Sequence, residues 1–88
     1  MPRYIVERTV GSLTQEELAT VGKRSNEVLE DMEGVVWIKS YVSEAAGKIY
    51  CEYDAPSQEA IMEHARRVGL PVDRISEVKM EISPAMFR

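Results

Sequence analysis

His64, Cys51 and the adjacent pair Glu7-Arg8 are the residues of this chain whose types could do chemistry. His64 is the only histidine. It lies three residues after Ile61 and four before Val68, at the edge of an apolar stripe at helical spacing. It reads either as a half-buried histidine with a satisfied hydrogen bond or as a metal ligand or proton-transfer group facing a pocket. Cys51 is the only cysteine. It reads as a small buried hydrophobe or, beside His64, as a thiolate able to hold a borderline or soft metal. No C-x-x-C or H-x-x-x-H spacing accompanies either residue. Glu7 and Arg8 sit between Val6 and Thr9 in a strand-like segment. Alternation sends them to opposite faces, so one of the two points towards the core or a pocket, where an unpaired charge is costly. Nothing in the chain matches a nucleophile-base motif, a phosphate loop or a dinucleotide fingerprint.

The bulk properties narrow the function classes. With 88 residues the chain is long enough for one domain, spanning 1–88. So small a domain buries a modest share of its surface, and self-association would add to it. A net charge of −4 with no basic run longer than a pair such as Arg66-Arg67 argues against nucleic acid as partner. One cysteine excludes an internal disulfide and fits a reducing compartment. No stretch is apolar enough for a membrane span or signal peptide, so a cytoplasmic protein with no membrane partner is expected.

The elements that must position these residues follow from periodicity. Tyr4 to Val10 reads as a first strand ending at Gly11. Thr14 is a good N-cap for a helix carrying Leu18, Val21, Val28, Leu29 and Met32 on one face, with Gly34 as its stop. Gly22 weakens that helix by about 1 kcal/mol relative to alanine and suits close packing on a strand. Val35 to Ser43 and Lys48 to Asp54 read as strands joined by a hairpin through Gly47. Ser57 caps a second helix with Ile61, Ala65 and Val68 inward, ended by Gly69 and Pro71. Arg74 to Ile82 reads as a fourth strand. The order βαββαβ is that of an α+β ferredoxin-like fold, a four-stranded antiparallel sheet with two helices on one face. The third strand is expected inside the sheet and the second at an edge.

A hairpin turn at Glu44 to Gly47 pairs Ser43 with Lys48 and, counting back, Lys39 with Glu52, a favourable cross-strand pair. In that register Val36, Ile38, Ser40, Val42, Ile49, Cys51 and Tyr53 share one face, assigned to the helices. Trp37, Lys39, Tyr41, Tyr50 and Glu52 share the other. Large aromatics on a face that two helices do not cover mark a binding surface, and Trp37, Tyr41 and Tyr50 are the expected interface of a homodimer.

The segments Tyr4-Ile5-Val6-Glu7-Arg8, Trp37-x-x-Ser40-Tyr41-Val42-Ser43, Cys51-x-Tyr53-x-Ala55-Pro56-x-x-Glu59-Ala60-Ile61 and Gly69-Leu70-Pro71-x-Asp73-x-Ile75 resemble a family of short bacterial proteins of unknown function, some of them described as nickel-binding. The resemblance covers nearly the whole chain, most specifically in the Cys-x-Tyr-x-Ala-Pro block. It implies a ferredoxin-like fold, dimerisation and, for some members, divalent nickel. On that footing the expected metal ligands are His64, Cys51 and Glu7, with Arg8 and Tyr53 in a ligand pocket. The expected function is binding of a small ligand or of nickel. The alternative is a small cofactor-free enzyme of oxygenase or isomerase type with His64 as acid or base.

Overall fold

Tyr4, Val6 and Arg8 alternate with Ile5, Glu7 and Thr9, and that period of two builds the first strand, β1 (Arg3–Thr9). The computed structural model describes residues 1–88. After β1 come α1 (Gln15–Glu30), β2 (Val36–Ser43), β3 (Lys48–Asp54), α2 (Gln58–Val68) and β4 (Arg74–Val78), with a short 3-10 turn at Pro84–Phe87. The sheet is antiparallel throughout, in the order β2-β3-β1-β4. This is the ferredoxin-like arrangement, with β1 and β3 inside the sheet and β2 at an edge.

Local chemistry sets the helix ends. Thr14 and Glu17 form a reciprocal capping box: the Glu17 N–H donates to Thr14 Oγ1 at 3.0 Å and the Thr14 N–H to Glu17 Oε1 at 2.9 Å. The α1 helix ends at Glu30, before Gly34, where its last amides turn to i−3 carbonyls (Asp31 to Val28, Met32 to Leu29, both 3.1 Å). Ser57 caps α2 through the Ala60 N–H, and Gly69, at φ +87°, closes it in the left-handed conformation that glycine adopts without strain. Arg24 of α1 donates to the carbonyls of Val68 and Arg67, so a cation meets the negative end of α2 and ties the helices together.

The fourth strand is shorter than its sequence pattern. It stops at Val78, which pairs with Arg3. The next residue outward on β1 is Pro2, which has no N–H to continue the ladder.

The hairpin register is the expected one from Ser43↔Lys48 to Lys39↔Glu52, but β2 then carries an extra residue, and Trp37 faces Tyr53 while Val36 faces Asp54. A bulge of this kind re-aims every side chain beyond it. Trp37 therefore lies on the helix side with Tyr53 and Cys51, not on the open face with Tyr41 and Tyr50. Val36 and Ile38, expected inside, are exposed. Lys39 stands opposite Glu52, yet Glu52 pairs with Arg3 at 3.2 Å and the Lys39 ammonium lies 5.7 Å from the centre of the Tyr41 ring. The open face is consequently laced with ion pairs, Arg3 to Glu52 and Asp54, and Lys48 to Glu7 and Asp73.

The two helices cover the other face unequally. From α2, Ile61, His64, Ala65 and Val68 are all buried, closing a core with Tyr4, Val6, Ile49, Cys51, Tyr53 and Ala55. From α1 only Ser25 is buried. Leu18, Leu29 and Met32 of its apolar stripe pack against the core while only partly buried, and space remains beneath Leu18, Val21 and Gly22.

Candidate functional site

The i, i+3, i+4, i+7 face of α1, Leu18, Val21, Gly22 and Ser25, roofs a cavity of about 270 Å³ over the sheet. Its floor is Arg8 of β1, Trp37, Ser40 and Val42 of β2, and Ile49, Cys51 and Tyr53 of β3, with Leu70 at one side. The lining is mostly apolar with a few polar groups, the usual make-up of a small-molecule site.

Arg8 is the only charged side chain that is fully buried, at 0% exposure. Its Nη1 donates to the Pro71 carbonyl at 2.8 Å and its Nη2 to the Tyr53 hydroxyl at 3.1 Å, while Nε has no partner. Both acceptors are neutral, and no carboxylate lies within ion-pair distance. The loop that offers Pro71 is fastened to β1 again where the Asp73 N–H donates to the Glu7 carbonyl at 2.8 Å and Thr9 Oγ1 meets Asp73 Oδ2. Tyr53 supports this arrangement from below. Burial, only partly opposed by the Arg8 charge, pushes its hydroxyl up to about 12, so it stays a neutral phenol. Trp37 is held by its Nε1–H, which donates to Ser40 Oγ at 2.9 Å.

Gly22 brings α1 over the Trp37 ring. A methyl group added there would lie 4.0 Å from Trp37 Cη2, an ordinary contact. Gly22→Ala is therefore expected to gain up to about 1 kcal/mol of helix stability while narrowing the cavity. A higher melting temperature checks this; a lower one would show that helix and ring have no room to spare.

His64 is fully buried, but it does not line the cavity. Its ring sits edgewise to Tyr53, with centroids 5.7 Å apart and planes at 65°. Its Nε2 lies 3.4 Å from the Ser25 carbonyl, which can only accept, so the proton belongs on Nε2 and Nδ1 is left bare and unpartnered. Burial first, and the nearby Arg8 charge second, hold its proton affinity below the ordinary value of 6.5, against a rise from the Ser25 carbonyl. The unfolded chain thus takes up a proton that the folded chain refuses. Stability is complete above about pH 7 and falls as pH drops below about 6.5, where the unfolded chain takes up the proton. The paired carboxylates of Glu17, Asp54 and Glu63 are themselves held below their ordinary values, so their contribution goes only at lower pH. Thermal melts between pH 5 and pH 7 (a range bounded by about these values of histidine titration) are expected to slope upward for the native chain and to flatten for His64→Gln.

The expected metal set does not assemble. Cys51 pairs with Val6 and faces the helices, while Glu7 pairs with Tyr50 on the opposite side of the sheet and is bound to Lys48 at 3.2 Å. No group of three His, Cys, Asp or Glu side chains could hold a metal ion. Arg8 and Tyr53 come together at the cavity floor. Sequence reasoning missed Trp37 and Gly22 as cavity residues. The interrupted helix pattern at Gly22 was a signal; the bulge that turns Trp37 inward left none.

Residues 4–78 match the family described as nickel responsive protein SCO4226-like. Among solved structures, the chain is similar to the crystal structure of SCO4226 from Streptomyces coelicolor A3(2), with 26% identity over 91% of this chain and 99% of that one and a TM-score of 0.82. No curated protein matches it. No helix is long and apolar enough to cross a membrane.

Proposed function

The chain belongs to the SCO4226-like family of nickel-responsive proteins, and from that premise we propose that it is a cytoplasmic, homodimeric protein that binds a small organic ligand in the cavity beneath α1. The observation that carries this reading is the cavity itself: a half-open cleft between α1 and the sheet, lined by a tryptophan and by a buried arginine with spare donor capacity.

The family description speaks of nickel, but the donor set of one protomer does not fit a chelated ion. His64 has one nitrogen engaged and both buried, Glu7 is across the sheet from Cys51, and the charge that acts on His64 is the Arg8 cation. An organic ligand suits the lining better. The enzyme reading loses support for a related reason: His64, the expected acid or base, is not at the cavity wall.

Self-association is supported by exposed apolar side chains. Met80, Ile82, Met86 and Phe87 of the C-terminal segment and Tyr41 of the open face are each more than half exposed, more apolar surface than a single small protomer leaves wet without cost. Sedimentation as a dimer is the expected result; a monomer at every concentration would contradict it.

The test of the main reading is thermal. Ligands that bind only the folded state raise its melting temperature. Single-ring organic acids, amides and alcohols are expected to do so in part, whereas nickel is expected to act equally on the native chain and on His64→Gln. No shift from any organic compound, with a nickel shift that needs His64, would overturn the reading.

A further inference from the structure

Arg8 is the feature of this molecule that its fold leaves unexplained. A guanidinium carries its charge throughout the physiological range, and one that is wholly buried is stable only with compensation. The acidic side chains that could compensate it are on the far side of the sheet, spent on Arg3 and Lys48. The groups beside it on the helix side do not supply a negative charge: Tyr53 remains a phenol and His64 is neutral or cationic. The Nε–H points to no acceptor in the chain. The missing partner has to come from outside, and the cavity that Arg8 lines is where it would sit.

We propose that this cavity takes a small organic monoanion, a carboxylic acid on a single ring, with its carboxylate on the Arg8 guanidinium and its ring against Trp37. The inference rests on reading the cavity as a ligand site. The Arg8 fork has Nε–H and further Nη hydrogens free for the paired hydrogen bonds that a planar carboxylate accepts. Phosphate fits less well, because the inorganic ion brings four oxygens and more than one charge to a site with one cation and otherwise mainly aliphatic walls from Leu18, Val21, Val42 and Ile49. Size points the same way. At about 270 Å³ the cavity lies just below the range of about 300–1,000 Å³ that holds drug-sized ligands, room for one ring and a short acid arm. Ser25 and Ser40 also line the cavity.

The emission of Trp37, the only tryptophan, reports occupancy directly. The native protein is titrated with phenylacetate and cyclohexanecarboxylate, with the two corresponding amides, and with inorganic phosphate. The acids are expected to bind about tenfold or more tighter than their amides, as charge-assisted hydrogen bonds require, and phosphate is expected to give no saturable response. In Arg8→Met the acid preference is expected to vanish, whereas in Lys79→Met, which removes an exposed cation outside the cavity, it is expected to persist. The comparison of acid with amide on the native chain needs no variant to fold. Equal binding of acids and amides, or a phosphate response as tight as that of the acids, would overturn the proposal and leave the cavity a small-ligand site. No saturable response from any ring compound would overturn both.

Discussion

A Tyr53→Ala variant is expected to lose about 3–5 kcal/mol of stability, most of what a domain of this size has in reserve. Tyr53 is 2% exposed and sits at the crossing of three structures. Its ring fills the core beside Cys51 and Ile61, supports His64 edgewise at 5.7 Å, and its hydroxyl takes one of the two hydrogen bonds of Arg8. Truncation removes the ring's burial, opens a void continuous with the cavity above, and strips Arg8 of an acceptor. Tyr53→Phe separates these contributions. It keeps the ring and removes only the acceptor, so its cost is that of one unpaired buried donor, about 1–3 kcal/mol. Urea unfolding followed by Trp37 emission measures both. Equal losses in the two variants would mean that the hydroxyl, not the packing, holds the floor together.

Arg8→Met is expected to behave in the opposite way: little change in the stability of the empty protein and loss of acid binding by about thirtyfold or more, the usual consequence of removing one partner of a buried charge pair. Two opposed effects explain the first half. Methionine relieves the burial of an uncompensated charge, a penalty of several kcal/mol. It also leaves the Pro71 carbonyl and the Tyr53 hydroxyl without a donor, about 1–3 kcal/mol each. These offset to within about 1–2 kcal/mol. A loss of about 3–5 kcal/mol, with acid binding intact, would show Arg8 to be a strut that tethers the loop at Pro71 to β1 and nothing more.

The same two residues show what the sequence could reveal. The order of elements was legible because each carries its own punctuation: Thr14 and Ser57 at helix starts, Gly69 at a helix end, Gly47 in the hairpin. The hairpin register was legible from Lys39 and Glu52, although the ion pair that suggested it is made by Arg3 instead. Arg8 was legible only as one of a pair, since alternation separates Glu7 from Arg8 without saying which goes inward. Tyr4 and Val6 decide it, being the side of β1 that packs on α2. Trp37 was placed on the wrong face because a bulge has no fixed sequence signal: one extra residue in an edge strand costs little there, and it inverts every position beyond it. Resemblance groups Glu7 with Cys51 and His64 without regard to strand parity, and parity puts Glu7 across the sheet from Cys51 within the protomer.

The most direct test of the account is a crystal structure of the protein grown with phenylacetate. The account predicts the carboxylate about 3 Å from Arg8 Nε, with the ring between α1 and Trp37. An occupied site elsewhere, or a space beneath α1 closed by the chain's own side chains, would contradict it.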